Sequence, residues 1–308
     1  DPERLTRNRP PYRSMSMNAT ARAHPIQGLV KYHGMRDPEL RLPYHDSISV
    51  CTAPTNTTTT VRWTTVEWQP DASEDAYVIG GEEVDGRAAE RIDMVVDHVR
   101  ELAGVDAAVR LESENSFPSN IGFGSSSSGF AAAALALTEA AGLDMSLPEV
   151  STVARRGSSS AARAVTGAFS HLYAGLNDED CRSYRLDSDL EDDLKIVAAH
   201  VPSYKETEEA HKEAAESHMF QARVAHIPDQ IVEMRDALRE ASFERVFELA
   251  EHDSLSLTAA TMTGPSGWVY WQPETIAVFN AVRELREAGV EVYFSTDTGA
   301  SVYVNTRE

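Results

Sequence analysis

Lysine and cysteine are scarce in this chain of 308 residues. Cys51 and Cys181 are the two cysteines, and they lie too far apart in the sequence to form a C-x-x-C pair. Neither a thiolate metal site nor a disulfide framework is therefore predicted, and this usage suits a reducing cytosol. The four lysines are Lys31, Lys195, Lys205 and Lys212. Because lysine is so rare, each one is a candidate for a functional role.

Long apolar segments are also lacking. The longest apolar run, near residues 130–137, is too short and too rich in alanine to span a bilayer. The N-terminus carries no basic, apolar signal sequence. Residues 1–16 lack an initiating methionine and are rich in arginine and proline. We expect them to be an added leader, with Met17 as a candidate native start.

Basic residues are outnumbered throughout the chain. Asp and Glu number 49 against 28 Lys and Arg, which gives a net charge of -21. A surface this acidic argues against binding to nucleic acid or to an anionic membrane. The acids are spread along the chain, so self-repulsion destabilises the compact state at low salt while keeping it soluble. This composition is similar to that of proteins from salt-accumulating haloarchaea; an ordinary acidic enzyme is the alternative.

Glycine and serine are concentrated in one loop. Residues 117–129 read F-P-S-N-I-G-F-G-S-S-S-S-G, and strong helix formers follow over 131–141. Glycines in such a loop let backbone amides approach a bulky anion, and a helix N-terminus adds unpaired N–H groups. Serine hydroxyls can bind phosphate oxygens or a phosphate-bound Mg²⁺. The segment therefore predicts a phosphate site.

The loop matches neither common nucleotide fingerprint. No lysine follows the glycines as a Walker A motif requires, and Ser127 stands where G-x-G-x-x-G needs its third glycine. A flexible serine linker is the alternative. The flanking Phe117 and Pro118 and the apolar helix that follows argue against a linker.

Three further segments carry charged groups. Lys31 lies in an apolar, strand-like segment, where a lysine is costly unless paired; a snorkelling surface lysine is the alternative. Asp297 lies in a turn between two apolar strands, where it either initiates the turn or serves as a general base. Residues 155–163 combine serines with three arginines, which suits an oxyanion or carboxylate; arginines at a helix C-terminus are the alternative.

The order of predicted elements indicates an α+β fold. An acid-rich stretch over 177–193 suggests a boundary between two lobes near residues 180–195. Helices are predicted from the 3.6-residue period of apolar positions and strands from β-branched or alternating runs. The predicted helices are 88–103, 131–141, 147–156, 207–223, 228–241, 242–252 and 273–288. The predicted strands are 47–51, 57–68, 107–112, 167–175, 194–201, 290–295 and 301–305.

Taken in order, four blocks resemble the GHMP superfamily, and most closely its mevalonate diphosphate decarboxylase branch. Residues 24–34 read H-P-I-Q-G-L-V-K-Y-H-G, and residues 115–129 contain the serine loop. Residues 155–163 read R-R-G-S-S-S-A-A-R, and residues 295–299 read S-T-D-T-G. The R-R-G-S block is specific to the decarboxylases, whereas the loop alone indicates only the superfamily.

The resemblance implies a two-lobed GHMP kinase-like fold with the active site in the cleft between the lobes. A ribosomal protein S5 domain 2-like N-terminal lobe is expected over 17–185 and an α/β C-terminal lobe over 186–308. The implied reaction is an ATP-dependent decarboxylation. ATP phosphorylates the tertiary 3-hydroxyl of a mevalonate derivative, and the 3-phosphate then leaves as CO₂ is lost.

The resemblance also implies roles for individual residues. Asp297 matches the catalytic base at the 3-hydroxyl, Lys31 a lysine that offsets phosphate charge, and Arg163 the arginine that binds the substrate carboxylate. Tyr32 matches the tyrosine of the first block. The positions at the substrate's phosphorylated arm are Ser158 and Ser160. The positions at the ATP phosphates are Ser119, Gly122, Gly124, Ser125, Ser126 and Ser127, with Ser126 also expected at the Mg²⁺ ion.

One departure from the family pattern concerns the far end of the substrate. The family follows K-Y-W-G with a lysine that helps to hold a diphosphate, whereas Met35 stands here. Losing that cation favours mevalonate 5-phosphate as the substrate, in which respect the chain resembles haloarchaeal members of the branch. Lys212 is a candidate replacement contact. The alternatives are a diphosphomevalonate decarboxylase, a mevalonate 3-kinase-type enzyme and a silent ATP-binding relative. A cytoplasmic homodimer is expected from the family likeness.

Overall fold

A computed structural model describes residues 17–64, 74–118, 123–202, 213–297 and 299–307. The leader predicted over 1–16 and the candidate site residues Ser119, Gly122 and Lys212 lie outside these residues.

The described residues form strands and helices in mixed order, as an α+β fold requires. The strands are β1 (Asn18–Ala23), β2 (Ile26–Val30), β3 (Met35–Asp37), β4 (Leu42–Pro43), β5 (Ser47–Cys51), β6 (Thr57–Trp63), β7 (Ala76–Ile79), β8 (Glu82–Glu83), β9 (Val109–Asn115), β10 (Phe169–Leu172), β11 (Ser183–Leu186), β12 (Lys195–Ala199), β13 (Val292–Ser295) and β14 (Val302–Thr306). The helices are α1 (Gly86–Ala103), α2 (Ser125–Ala140), α3 (Leu147–Gly157), α4 (Ser159–Thr166), α5 (Phe220–Arg239), α6 (Phe243–Met262) and α7 (Pro273–Glu287).

The strands assemble into four sheets. A five-stranded sheet has the order β1-β6-β9-β7-β8, and a four-stranded sheet has the order β11-β10-β5-β2. A three-stranded sheet is ordered β12-β14-β13, and β3 and β4 form a hairpin. Pairing is antiparallel except between β7 and β9. The antiparallel arrangement leaves β2 at one edge of the four-stranded sheet, where its end is open to the rest of the fold.

The first hydrophobic core lies between the five-stranded sheet and helices α1 to α4. Along β6 the side chains of Thr57, Thr59, Val61 and Trp63 are buried, and the residues between them are half-buried. Helix α2 is buried on nearly all sides, and its alanines 131–134 are at most 5% exposed. Such small side chains allow close packing between the sheet and the other helices. This packing fixes the position of the serines in the first turn of α2.

The second core joins the four-stranded sheet to the C-terminal helices. Leu29 and Val30 of β2 pack in one apolar cluster with residues of α5 and α6 and with Tyr293 of β13. This cluster draws on both sides of the boundary predicted near residue 186. It places the end of β2 directly beside α6 and β13.

The predicted helices over 88–103, 147–156 and 273–288 are confirmed by α1, α3 and α7. No helix among the described residues is both long and apolar enough to cross a membrane.

Two helix boundaries predicted in the C-terminal half are wrong, although residues 220–223 and 228–239 are helical as predicted. Helix α5 begins at Phe220 and continues through Pro228, where a helix start was predicted. Buried Ile227, Gln230 and Ile231 around the proline make packing contacts, and these offset the roughly 3 kcal/mol cost of an internal proline. Residues 214–219 are not α-helical: Ala214–Glu216 form a single 3-10 turn, and Ser217 accepts a hydrogen bond from Met219 N at 3.1 Å, a local alternative to helix.

The glycine of the R-R-G-S block has a packing role. A Cβ atom added to Gly157 would lie 2.1 Å from Cδ1 of the Phe130 ring, whereas one added to Gly129 meets nothing within 4 Å. We therefore expect Gly157→Ala to lower the free energy of unfolding by about 2 kcal/mol through overpacking. Gly129→Ala should raise it by up to about 1 kcal/mol, because alanine favours the helix.

Urea denaturation of both variants in the same high-salt buffer measures this difference. Equal stabilities for the two alanine variants would contradict the close packing of Phe130 on Gly157.

Candidate active site

Lys31 is buried just beyond the last residue of β2. Its side chain is 4% exposed, and its Nζ lies 3.5 Å from Oδ2 of Asp253. The ammonium also donates to Oγ of Ser254 at 3.1 Å. Burial lowers the pKa of Lys31, an effect that the carboxylates of Asp253 and Asp297 oppose and Arg223 reinforces. The lysine is therefore paired inside the fold and does not snorkel to the surface.

Asp297 lies just after β13, and its carboxylate contacts the segment around Gly28. Gly28 N donates to Asp297 Oδ1 at 3.4 Å, and Oγ of Ser295 donates to the Gly28 carbonyl at 3.3 Å. A Cβ atom on residue 28 would lie 2.7 Å from Cγ of Lys31 and 3.1 Å from Oδ1 of Asp297. Glycine at this position therefore allows the lysine segment and the aspartate turn to approach each other.

Arg163 on α4 is a buried cation held by hydroxyl groups. It is 3% exposed; its Nε donates to Oγ of Ser49 at 3.1 Å, and its Nη1 donates to Oγ of Ser47. The guanidinium carbon lies 5.5 Å from the centroid of the Tyr32 ring. Burial lowers the pKa of Arg163, although Tyr32 and Asp297 favour its charged form.

No carboxylate within the described ranges forms an ion pair with Arg163. A cation whose partners are hydroxyls retains charge for an anionic ligand. Gly28 contacts Asp297 and approaches the Lys31 side chain. Arg163 lies over the ring of Tyr32, the next residue after Lys31. The three groups predicted from separate blocks therefore lie in one region of the fold.

The serines of the decarboxylase-specific block lie at the start of α4. Ser158 Oγ and Ser160 Oγ share a hydrogen bond 2.8 Å long. Ser158 is extended and caps the helix that begins at Ser159. Hydroxyls beside free helix N–H groups suit a phosphate oxygen.

The other two arginines of this block are structural. Arg155 is fully buried and donates to the Leu40 carbonyl and to Oδ1 of Asp178. Arg156 donates to Oδ2 of Asp178 at 2.7 Å. Of the three guanidiniums predicted to face an anion, only Arg163 lies in the candidate site, because Arg155 and Arg156 both pair with Asp178.

Residues 125–129 of the predicted loop form the first turns of α2, so the linker alternative is wrong for these residues. Gly124 caps the helix with φ 74° and ψ 26°, a left-handed conformation that glycine adopts readily. Ser125 is half-buried and Ser126 is exposed. Ser127 is buried; its Oγ donates to the Gly124 carbonyl at 2.6 Å and accepts from Ile26 N at 3.2 Å.

The run of serines is thus divided between two tasks. Ser125 and Ser126 remain accessible at the helix N-terminus, whereas Ser127 ties the loop to β2. No group of three or more His, Cys, Asp or Glu side chains suited to a metal occurs in the part of the chain that the structure describes. A phosphate-bound metal ion would instead depend on serine oxygen and on the nucleotide.

Three residues of the site escaped the sequence analysis. Asp253 and Ser254 on α6 contact Lys31, and Arg223 on α5 lies 2.9 Å from Asp253 Oδ1. For Arg223, the sequence did contain a signal: it stands one helical turn before Ile227, on the face of α5 that is otherwise apolar and buried.

Comparisons with known proteins identify the family. A family model for the diphosphomevalonate decarboxylase-like N-terminal domain matches residues 23–183. The phosphomevalonate decarboxylase of Haloferax volcanii is 77% identical over 293 residues, covering 95% of this chain and 89% of that protein.

Solved structures show the same architecture. Mevalonate diphosphate decarboxylase from Staphylococcus aureus aligns with a TM-score of 0.90 at 30% identity, covering 95% of this chain and 88% of that chain. A structure of MDDEF in complex with MVAPP, AMPPCP and magnesium aligns with a TM-score of 0.88 at 27% identity, covering 95% and 89%. The fold is thus that of the GHMP kinase-like proteins. Within that class, the chain belongs to the diphosphomevalonate decarboxylase family.

The division of the serine run generates a test. Ser127→Ala should lower the free energy of unfolding by about 1–3 kcal/mol, because Ile26 N would lose its buried acceptor. Ser126→Ala should leave that free energy within about 0.5 kcal/mol, because the side chain is exposed. It should instead raise the KM for Mg·ATP about tenfold if its hydroxyl contacts the charged nucleotide.

Chemical denaturation and steady-state kinetics on the two variants separate the roles. A loss of stability in Ser126→Ala with an unchanged KM would show that the roles are assigned the wrong way round.

Proposed function

We propose that this chain converts mevalonate 5-phosphate and ATP to isopentenyl phosphate, ADP, phosphate and CO₂. The observation that carries the substrate is the 77% identity to the Haloferax volcanii phosphomevalonate decarboxylase across 95% of the chain. The observation that supports the chemistry is the shared site of Asp297, Lys31 and Arg163. Such an enzyme works in the mevalonate pathway of isoprenoid biosynthesis.

The nucleotide fits the N-terminus of α2. Gly124 in its left-handed conformation and the accessible Ser125 and Ser126 leave backbone N–H groups and hydroxyls open to phosphate oxygens. Mg²⁺ would neutralise phosphate charge there, with Ser126 as the proposed protein contact. The MDDEF complex contains AMPPCP, an ATP analogue, and magnesium, which supports ATP and Mg²⁺ as requirements of this chain. Ser119 and Gly122 complete the proposed loop.

Asp297 acts first in the proposed reaction. Its carboxylate orients the tertiary 3-hydroxyl and accepts its proton as the oxygen attacks the γ-phosphoryl group of ATP. Lys31 offsets the negative charge that gathers on the transferred group. The neighbouring carboxylates favour the charged form of Lys31, as this role requires.

Arg163 acts in the second half of the reaction. It binds the substrate carboxylate through the guanidinium charge that its hydroxyl partners leave unneutralised. The bond between C3 and oxygen then breaks with loss of phosphate, and the bond to the carboxyl carbon breaks with loss of CO₂. The electron pair of that carbon–carbon bond forms the alkene, so electrons and atoms balance.

The substrate's phosphorylated arm is proposed to lie against α4. Ser158 and Ser160 offer hydroxyls at the helix start, and the Tyr32 ring lies 5.5 Å from the guanidinium carbon of Arg163. Met35 opens the β3–β4 hairpin and pairs with Pro43, so the hairpin carries no ammonium at this position. Lys212 is proposed as a replacement contact. This arrangement favours a monophosphate over the diphosphate named for the Staphylococcus aureus relative.

We further propose that the enzyme is a homodimer in the cytoplasm of a halophilic archaeon, with lobes over 17–185 and 186–308. The net charge of -21 and the Haloferax relative support the halophilic origin. Two cysteines and no disulfide framework suit a cytosolic protein.

Purified protein should release CO₂ from mevalonate 5-phosphate with ATP and Mg²⁺ in molar KCl, at a kcat/KM well above that for mevalonate 5-diphosphate. A preference for the diphosphate would support the diphosphomevalonate alternative. ADP release without CO₂ would identify a 3-kinase, and ATP binding without turnover would identify a silent relative.

Asp297→Asn should lower kcat at least about 100-fold, because the general base is lost while the shape of the side chain is kept. The matched control is Asp193→Asn at an exposed carboxylate that pairs only with Arg307 among the described residues; its kcat should equal that of the wild type. Unchanged turnover in Asp297→Asn would refute the role of this carboxylate.

Met35→Lys should raise the kcat/KM for the diphosphate relative to the monophosphate about tenfold, because one charge-assisted hydrogen bond is worth that much. Val232→Lys adds the same charge at an exposed position of α5 and should leave the ratio unchanged. Equal ratios in the two variants would show that residue 35 does not face the terminal phosphate.

A further inference from the structure

We propose that Asp253 is a positioning residue of this active site, and that its buried carboxylate holds Lys31 in register with Asp297 and keeps it charged. The inference rests on the proposed function of the site. It assigns a role to a residue of α6 that lies outside all four sequence blocks. Asp253 is 0% exposed, so it acts through Lys31 and does not touch the substrate.

One carboxylate oxygen of Asp253 contacts both the backbone N–H and the side-chain ammonium of Lys31. Oδ2 accepts the backbone N–H of Lys31 at 2.8 Å and lies 3.5 Å from its Nζ. The lysine follows the last paired residue of β2, Val30. The carboxylate therefore determines both where the backbone leaves the strand and where the ammonium lies.

Arg223 also holds the backbone of Lys31. Its Nη2 donates to the Lys31 carbonyl at 2.6 Å and lies 2.9 Å from Oδ1 of Asp253. The N–H and the C=O of Lys31 are thus held by Asp253 and Arg223, one from each of helices α6 and α5. A shift of either helix would move the lysine.

The next residue of α6 holds the other catalytic segment. Ser254 Oγ accepts from Nζ of Lys31 at 3.1 Å and from Thr296 N at 3.1 Å, and it donates to the Ala250 carbonyl at 2.7 Å. Thr296 immediately precedes Asp297. Two consecutive residues of one helix therefore connect the lysine after β2 to the aspartate after β13.

The negative charge of Asp253 favours the protonated form of Lys31. The charged groups facing Lys31 are Asp253 and Asp297, which raise its pKa, and Arg223, which lowers it; burial lowers it further. His45 also faces Arg223 and Asp253, but burial lowers its pKa to about 4, so it is neutral at working pH. Asp253 is thus the buried counter-ion that keeps the ammonium protonated.

Fold stability alone explains this arrangement poorly. A buried ion pair has a large desolvation cost and often stabilises less than well-packed apolar residues of similar volume. A charge retained at this depth, between two cations and beside the site, is better explained by its effect on Lys31.

The scarcity of lysine makes a direct test possible. The chain has four lysines, so protein labelled with ¹³Cε-lysine should give a few resonances, of which the Lys31 signal is the one lost in Lys31→Arg. Titration of that signal needs no turnover. Asp253→Asn should lower the Lys31 midpoint by at least about one pH unit, because an opposite charge is removed. Arg223→Gln should raise the midpoint, because a like charge is removed.

Kinetics give a second readout. Asp253→Asn should lower kcat about 100-fold through misplacement of Lys31, with the KM for ATP within about threefold of the wild type. Ser254→Ala keeps the carboxylate, so it should leave the Lys31 midpoint within about half a pH unit while still lowering kcat.

The matched control is Glu251→Gln on the same helix. Glu251 is 9% exposed; it accepts from Arg286 and, at 2.8 Å, from Phe294 N. This variant removes a buried charge without touching Lys31, so it should leave the Lys31 midpoint and kcat unchanged.

Equal Lys31 midpoints in the wild type, Asp253→Asn and Glu251→Gln would overturn the proposal. If Asp253→Asn does not fold, Asp253→Glu keeps the charge but moves the carboxylate relative to Lys31: a lowered kcat with a shifted Lys31 midpoint supports the proposal, and wild-type values of both overturn it. The substrate preference of the wild type decides the proposed function separately, since the titration is read without any substrate.

Discussion

The buried carboxylate of Asp253 is the constraint on which the candidate site depends. It lies between two cations, Lys31 and Arg223, and accepts a main-chain N–H. Removing a carboxylate from water costs several kcal/mol unless partners surround it. Helices α5 and α6 and the end of β2 can therefore not slide past one another without leaving a charge unpaired. The apolar cluster of Leu29, Val30 and the two helices supplies the contact area, while the carboxylate supplies the register.

The same residue types serve opposite purposes a few positions apart. Ser126 is exposed at the start of α2, whereas Ser127 is buried against Ile26 N. The buried Arg155 pairs with the carboxylate of Asp178, whereas Arg163 is buried among hydroxyls and is proposed to bind an anionic ligand. In each case, the partner that the fold supplies decides whether a polar group stabilises the fold or is left for the proposed reaction.

Much of the fold was predictable where the local pattern was strong. Helices α1, α3 and α7 carry a clear apolar period or a proline in the first turn, and their predicted spans match the structure closely. The start of α5 was not predictable, because packing of Ile227 and Ile231 across Pro228 outweighs the local preference against proline. The site followed the same division: Lys31, Arg163 and Asp297 stood in recognisable blocks, whereas Asp253 and Ser254 stood in an unremarkable helix.

The sequence by itself determined the family, and it predicted a phosphate loop and the three charged groups proposed for the reaction, because those features depend on residue types at fixed local spacing. Only the tertiary structure decided that Asp178 removes Arg155 and Arg156 from the site and that α6 connects Lys31 to the Asp297 turn. These pairings join residues far apart in the chain. Their energies depend on burial and on distances of about 3 Å, which only the packed fold defines.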